Sequence, residues 1–158
     1  MITKVRLLNF ARFIFALTIA LTPALATDDS QSGSEKLEGT WLTQVTIRDC
    51  TTGAVLRTFP SLGSYLPGGT STDTTTGISP TLRSPGFGTW EKTGGQTYSA
   101  VALAFLFNPT GAWTGMQKLT HTIKLKGDVI DYTSTVEFFD TDGKLTTTGC
   151  ATAIGRRL

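Results

Sequence analysis

The sequence is poor in the residues that most chemistry needs. It has one histidine, His121, two cysteines, Cys50 and Cys150, and only 16% charged residues in 158. Lysines and arginines are scattered singly, so no basic stripe exists to neutralise phosphates, and nucleic acid is not an expected partner. No apolar run reaches the roughly 20 residues that a membrane-spanning helix requires, so no stable membrane anchor is expected. No window downstream of the N-terminus carries the 3.6-residue apolar period of an amphipathic helix.

The N-terminus is of another kind. Lys4, Arg6 and Arg12 precede an apolar stretch at 13–21, and Ala24-Leu25-Ala26 is a small-x-small cleavage site. This is the pattern of a removable export signal over residues 1–26, cut near Ala26, for a secreted or periplasmic protein. The whole chain carries 14 Lys and Arg against 12 Asp and Glu. Three of those cations lie in the signal, which leaves 11 against 12, or −1, in the exported part. Residues 27–36 (TDDSQSGSEK) are polar and without apolar period, and are expected to form a flexible leader.

From residue 37 onward, β-branched and aromatic residues alternate with polar ones between turn signals. The pattern predicts eight strands, at 37–50, 55–66, 70–76, 86–92, 96–107, 113–126, 129–139 and 144–156. Eight sequential strands with short turns read as an all-β, antiparallel up-and-down barrel, in which closure removes the sheet edges. A β-sandwich is the competing architecture.

In an oxidising compartment two cysteines are expected to form a disulfide. A Cys50–Cys150 bridge would tie the first strand to the last, and these are neighbours only if the sheet closes. Direct opposition of the two would set Ile47 against Ala153, Val45 against Gly155 and Thr43 against Arg157. Alternation then places Trp41, Thr43, Val45 and Ile47 inside. With both cysteines bridged, a lone His cannot complete a metal site, and no cofactor is implied.

Gly39-Thr40-Trp41 on the first strand, with Arg156 or Arg157 on the last, resembles the Gly-x-Trp and closing basic residue of lipocalins and the wider calycin barrels. Avidin-type barrels also begin with Gly-Thr-Trp, and Gly88-Thr89-Trp90 repeats the triplet mid-chain. The chain is shorter than ordinary lipocalins and has no clear Thr-Asp-x-Tyr-like second motif. The resemblance implies a barrel whose floor is closed by Trp41 and Arg157 and whose interior takes a small, largely apolar ligand.

On the predicted sixth and seventh strands, Gln117 and His121 share a face, as do Tyr132, Ser134 and Phe138. These are expected to look inward, with Gln117, His121 and Tyr132 offering polar contacts and Trp90, Phe105 and Phe138 shaping the cavity. No carboxylate has the parity to orient His121 for a hydrolytic triad, and no inward pair of carboxylates is visible. Asp140-Thr141-Asp142-Gly143 has the outline of a calcium loop without its later acidic ligand, and reads as a turn. A cofactor-free cyclase or isomerase barrel, comparable in outline to allene oxide cyclase, is an alternative, as is a packed module with no ligand. The stretch from Ala100 to Phe107 (AVALAFLF) is apolar on both faces, which points to a covered outer surface and a possible homo-oligomer.

Overall fold

The computed structural model describes residues 36–158; the expected export signal and nearly all of the expected leader lie outside the described residues. The chain forms β1 (Gly39–Arg48), β2 (Val55–Leu66), β3 (Thr70–Thr75), β4 (Gly86–Gly94), β5 (Thr97–Phe107), β6 (Trp113–Lys126), β7 (Val129–Phe139) and β8 (Leu145–Arg157). Each strand pairs antiparallel with its neighbour in sequence, and β1 pairs with β8, so the sheet is a closed barrel. Closure satisfies the edge hydrogen bonds of the first and last strands, which a sandwich would leave exposed.

Three tight turns have a common local cause. The side chains of Asp49, Asn108 and Asp140 accept backbone N–H groups two to four residues ahead. Such side-chain turns let the chain reverse between strands without losing backbone hydrogen bonds. Asp140 thus spends its carboxylate on the amides of Asp142 and Lys144.

The Cys50–Cys150 disulfide forms, with Cα atoms 5.3 Å apart across 100 residues of sequence. The expected direct opposition of the two cysteines is corrected by two residues. Cys150 pairs with Arg48, Val45 with Ala153, Thr43 with Gly155 and Trp41 with Arg157. Cys50 lies in the turn beyond β1 and reaches back to Cys150 diagonally. A two-residue shift preserves side-chain parity, so Trp41, Thr43, Val45 and Ile47 still line the interior.

One end of the barrel is solid. Leu37, Trp41, Tyr98, Ile123, Leu125 and Ile130 are buried there, with Trp90 and Tyr132 packed against them. Arg157 lies over the Trp41 ring, its Cζ 4.3 Å from the centroid. Its Nε donates to Asp128 Oδ1 at 2.8 Å, and its two terminal nitrogens donate to the carbonyls of Glu38 and Lys36. Gly39, at φ 131°, makes this possible: a Cβ there would stand 2.6 Å from Arg157 Nη1. Trp41 Nε1 donates to the Leu37 carbonyl, so the indole is both buried and satisfied.

Toward the other end the inner face becomes small. Ala100, Ala102 and Ala104 on β5 and Ala151 on β8 point inward, as does Gly149. Short side chains cannot meet across eight strands, so the interior there stays open.

Candidate functional site

The open interior is a cavity of about 240 Å³. Val45, Ile47, Phe59, Leu119, Val136 and Phe138 give it apolar walls. Polar groups converge in its depth from five strands and one loop.

The loop contributes the least expected of them. Leu82 to Ser84 run alongside β5: Arg83 bridges to Leu106, Ser84 N donates to Phe105 O, and Phe107 N donates to Leu82 O. Between the Arg83–Leu106 and Phe87–Leu103 pairs, three residues on one side oppose two on the other. This bulge at Ser84-Pro85 shifts the alternation, so Arg83 turns inward although Phe87 on the following strand turns out. Gly86 then supplies room, because a Cβ there would fall 1.9 Å from Asp73 Oδ1.

Arg83 is 4% exposed. Its Nη2 donates to Asp73 Oδ2 at 2.8 Å, its Nε to Gln117 Oε1 at 2.6 Å and its Nη1 to the Ser84 carbonyl. Burial raises the Asp73 carboxyl above its ordinary pKa, and the Arg83 guanidinium pulls the other way. Asp73 Oδ1 is buried without a hydrogen-bond partner. The cluster places one positive and one negative charge inside an apolar wall, held by fixed geometry rather than by solvent.

Beside it, His121 Nδ1 and Ser134 Oγ stand 2.5 Å apart. Their strands pair directly at this point, His121 opposite Ser134. Burial pushes the imidazole pKa down to about 4, so the ring is neutral near pH 7. Tyr132 lies edge-on to it, ring centroids 4.9 Å apart. The Tyr132 hydroxyl bonds to Thr43, whose own hydroxyl donates to the Ser61 carbonyl. Burial raises the Tyr132 pKa, the Thr43 bond opposing it, and the Asp73 charge adds to the rise. Tyr65 is raised too, by burial first.

Gln117, His121, Tyr132 and Phe138 therefore meet around one space, whereas two other candidates do not join them. Phe105 is corrected to the outer face: it is 54% exposed and packs edge-to-face on Trp113. The alanines of β5 fix that parity by pointing in, and an all-apolar strand offers no alternation from which to choose. With Phe87, Leu103 and Trp113 it forms an exposed apolar patch, on the strand for which the sequence raises the expectation of a covered outer face. Trp90 points inward but packs at the floor between Tyr65 and Tyr98, its Nε1 donating to the Leu66 carbonyl.

Sequence reasoning missed Asp73 and Arg83, and with them the one carboxylate that lines the cavity among the described residues. The signal for Asp73 is a lone acid in a strand otherwise made of Ser and Thr. Asp73 is held by Arg83, and no carboxylate bonds to His121 among the described residues. A Ser-His-acid relay is thus not assembled. The arrangement is suited to holding and orienting a small molecule in a dry space.

No protein-family model matches the chain, and no curated protein matches it either. Fold and site on their own define a class: a disulfide-tied, eight-stranded up-and-down barrel, solid at one end and hollow toward the other.

Proposed function

We propose that the chain is an exported, lipocalin-like barrel that binds a small, largely apolar molecule. The observation that carries this reading is the cavity itself, apolar in its walls with a few converging polar groups, which is the usual composition of a small-molecule site. At about 240 Å³ it lies between a cavity that takes benzene and the sites of drug-sized ligands. The matching ligand has roughly ten non-hydrogen atoms, a single ring or a fused pair. A disulfide across the β1–β8 seam is consistent with an oxidising compartment, and with the export signal it supports a secreted or periplasmic site of action. Native mass spectrometry of protein purified from the compartment of export tests this: a retained small molecule is expected, and an empty barrel that takes up no bicyclic probe overturns it.

One observation favours a second reading. The edge-on contact of His121 and Tyr132 in a desolvated cavity is also what a cofactor-free cyclase or isomerase would use. Turnover that is lost in both His121→Phe and Tyr132→Phe, with folding intact, would select it.

A further inference from the structure

The hydrogen bond between Ser134 and His121 has a direction, and the direction bears on the ligand. Ser134 Oγ has one hydrogen to donate, and His121 Nδ1 is its one hydrogen-bond partner among the described residues. A buried hydroxyl that leaves its hydrogen unpaired loses a hydrogen bond's worth of free energy, so the satisfied arrangement has Ser134 donating to Nδ1. A neutral imidazole that accepts at Nδ1 carries its proton on Nε2. The ring is neutral here because burial holds its pKa near 4.

Two neighbouring groups are already engaged. Thr43 gives its hydrogen to the Ser61 carbonyl. Gln117 Oε1 is occupied by Arg83 Nε. His121 Nε2, with no hydrogen-bond partner among the described residues, is then a free donor in a largely apolar space.

Resting on the reading of this cavity as a ligand site, we propose that its ligand is a neutral hydrogen-bond acceptor, a ketone-, ester- or ether-like oxygen on a compact apolar skeleton. Ser134 acts as a positioning residue that fixes which imidazole nitrogen faces the ligand. A ligand that could only donate would leave Nε2–H unpaired, its own N–H or O–H having only the unpartnered Asp73 Oδ1 to turn to, and an unpaired buried donor of this kind is what polar sites reject most strongly.

His121 is the only histidine of the chain, so its ring nitrogens are identified without assignment. Long-range proton–nitrogen NMR of the oxidised, labelled protein at pH 7 should show the Nε2–H tautomer. Ser134→Ala should convert it to a mixture. Binding is read with three fused bicycles of nearly equal size: 1-indanone accepts only, indole donates only, and indane does neither. The wild type should bind 1-indanone better than indole, and His121→Phe should weaken 1-indanone relative to indane roughly five- to tenfold, the weight of one hydrogen bond. An Nδ1–H tautomer, or a preference for indole, overturns the inference while the cavity still binds. If the Nε2–H tautomer is present and none of the three binds, the ligand reading fails and takes this inference with it. Should His121→Phe not fold, the loss of 1-indanone preference in Ser134→Ala reads the same link.

Discussion

Arg83 and Asp73 form the only ion pair inside the barrel among the described residues, Nη2 to Oδ2 at 2.8 Å, with the Arg83 side chain 3% exposed. The pairs Lys118–Glu137 and Arg157–Asp128 are far more open to solvent. Through Gln117 the same guanidinium joins the β3–β4 loop to β6 across the interior. A buried pair of this kind contributes little net stability compared with an apolar replacement, yet removing one member leaves the other charged and stranded.

Arg83→Met should therefore destabilise the protein by about 3–5 kcal/mol in urea unfolding, and Arg83→Met with Asp73→Leu by clearly less than the sum of the single changes. Additive losses would show that the two residues do not act as a pair.

Acid should weaken the fold through His121. The folded ring stays neutral down to about pH 4, whereas an unfolded chain protonates near its ordinary 6.5. Between those values the unfolded state holds the extra proton, so stability is unchanged above about 6.5 and falls as pH drops toward 4. Full expression amounts to at most about 3 kcal/mol. Asp73, raised by burial, has the opposite sign, since its folded form takes up a proton first on acidification. Urea midpoints across pH 4–7 should slope in the wild type and flatten in His121→Gln.

Replacing Cys50 and Cys150 by serine should lower stability by about 3–5 kcal/mol, because the bridge closes a loop of 100 residues in the unfolded chain. Reductant should reproduce the loss in the wild type and do nothing to the double variant.

Phe105→Ala should leave 1-indanone affinity unchanged and change stability by no more than about 1 kcal/mol, since the ring is half-exposed on the outer face. A collapse of binding would place Phe105 inside after all.

The barrel was legible in the sequence because period-two alternation and turn residues are local signals, and eight of them in a row leave few topologies. The disulfide added closure, since only a closed meander brings the first and last strands together. Parity survived the two-residue error in register because a shift of two keeps every side chain on its face. The site was only half legible. Gln117, His121 and Tyr132 lie on regular strands, where alternation predicts direction. Arg83 lies beyond a bulge that resets the alternation, in a proline-flanked loop with no period to read. Its partner Asp73 carries one local signal, a lone acid in a strand of Ser and Thr, and its role follows once Arg83 is seen to point in. Phe105 went astray for the converse reason, an apolar strand with no polar face to mark the outside.

The central claim is that the interior is hollow in order to hold a molecule. Ala102 is buried and lines the cavity, so Ala102→Leu fills part of it and replaces none of the polar residues. Native mass spectrometry of 1-indanone with the oxidised wild type and Ala102→Leu tests the claim directly. One bound molecule in the wild type and none in the folded variant is the predicted result; equal occupancy in both, or none in either, contradicts it.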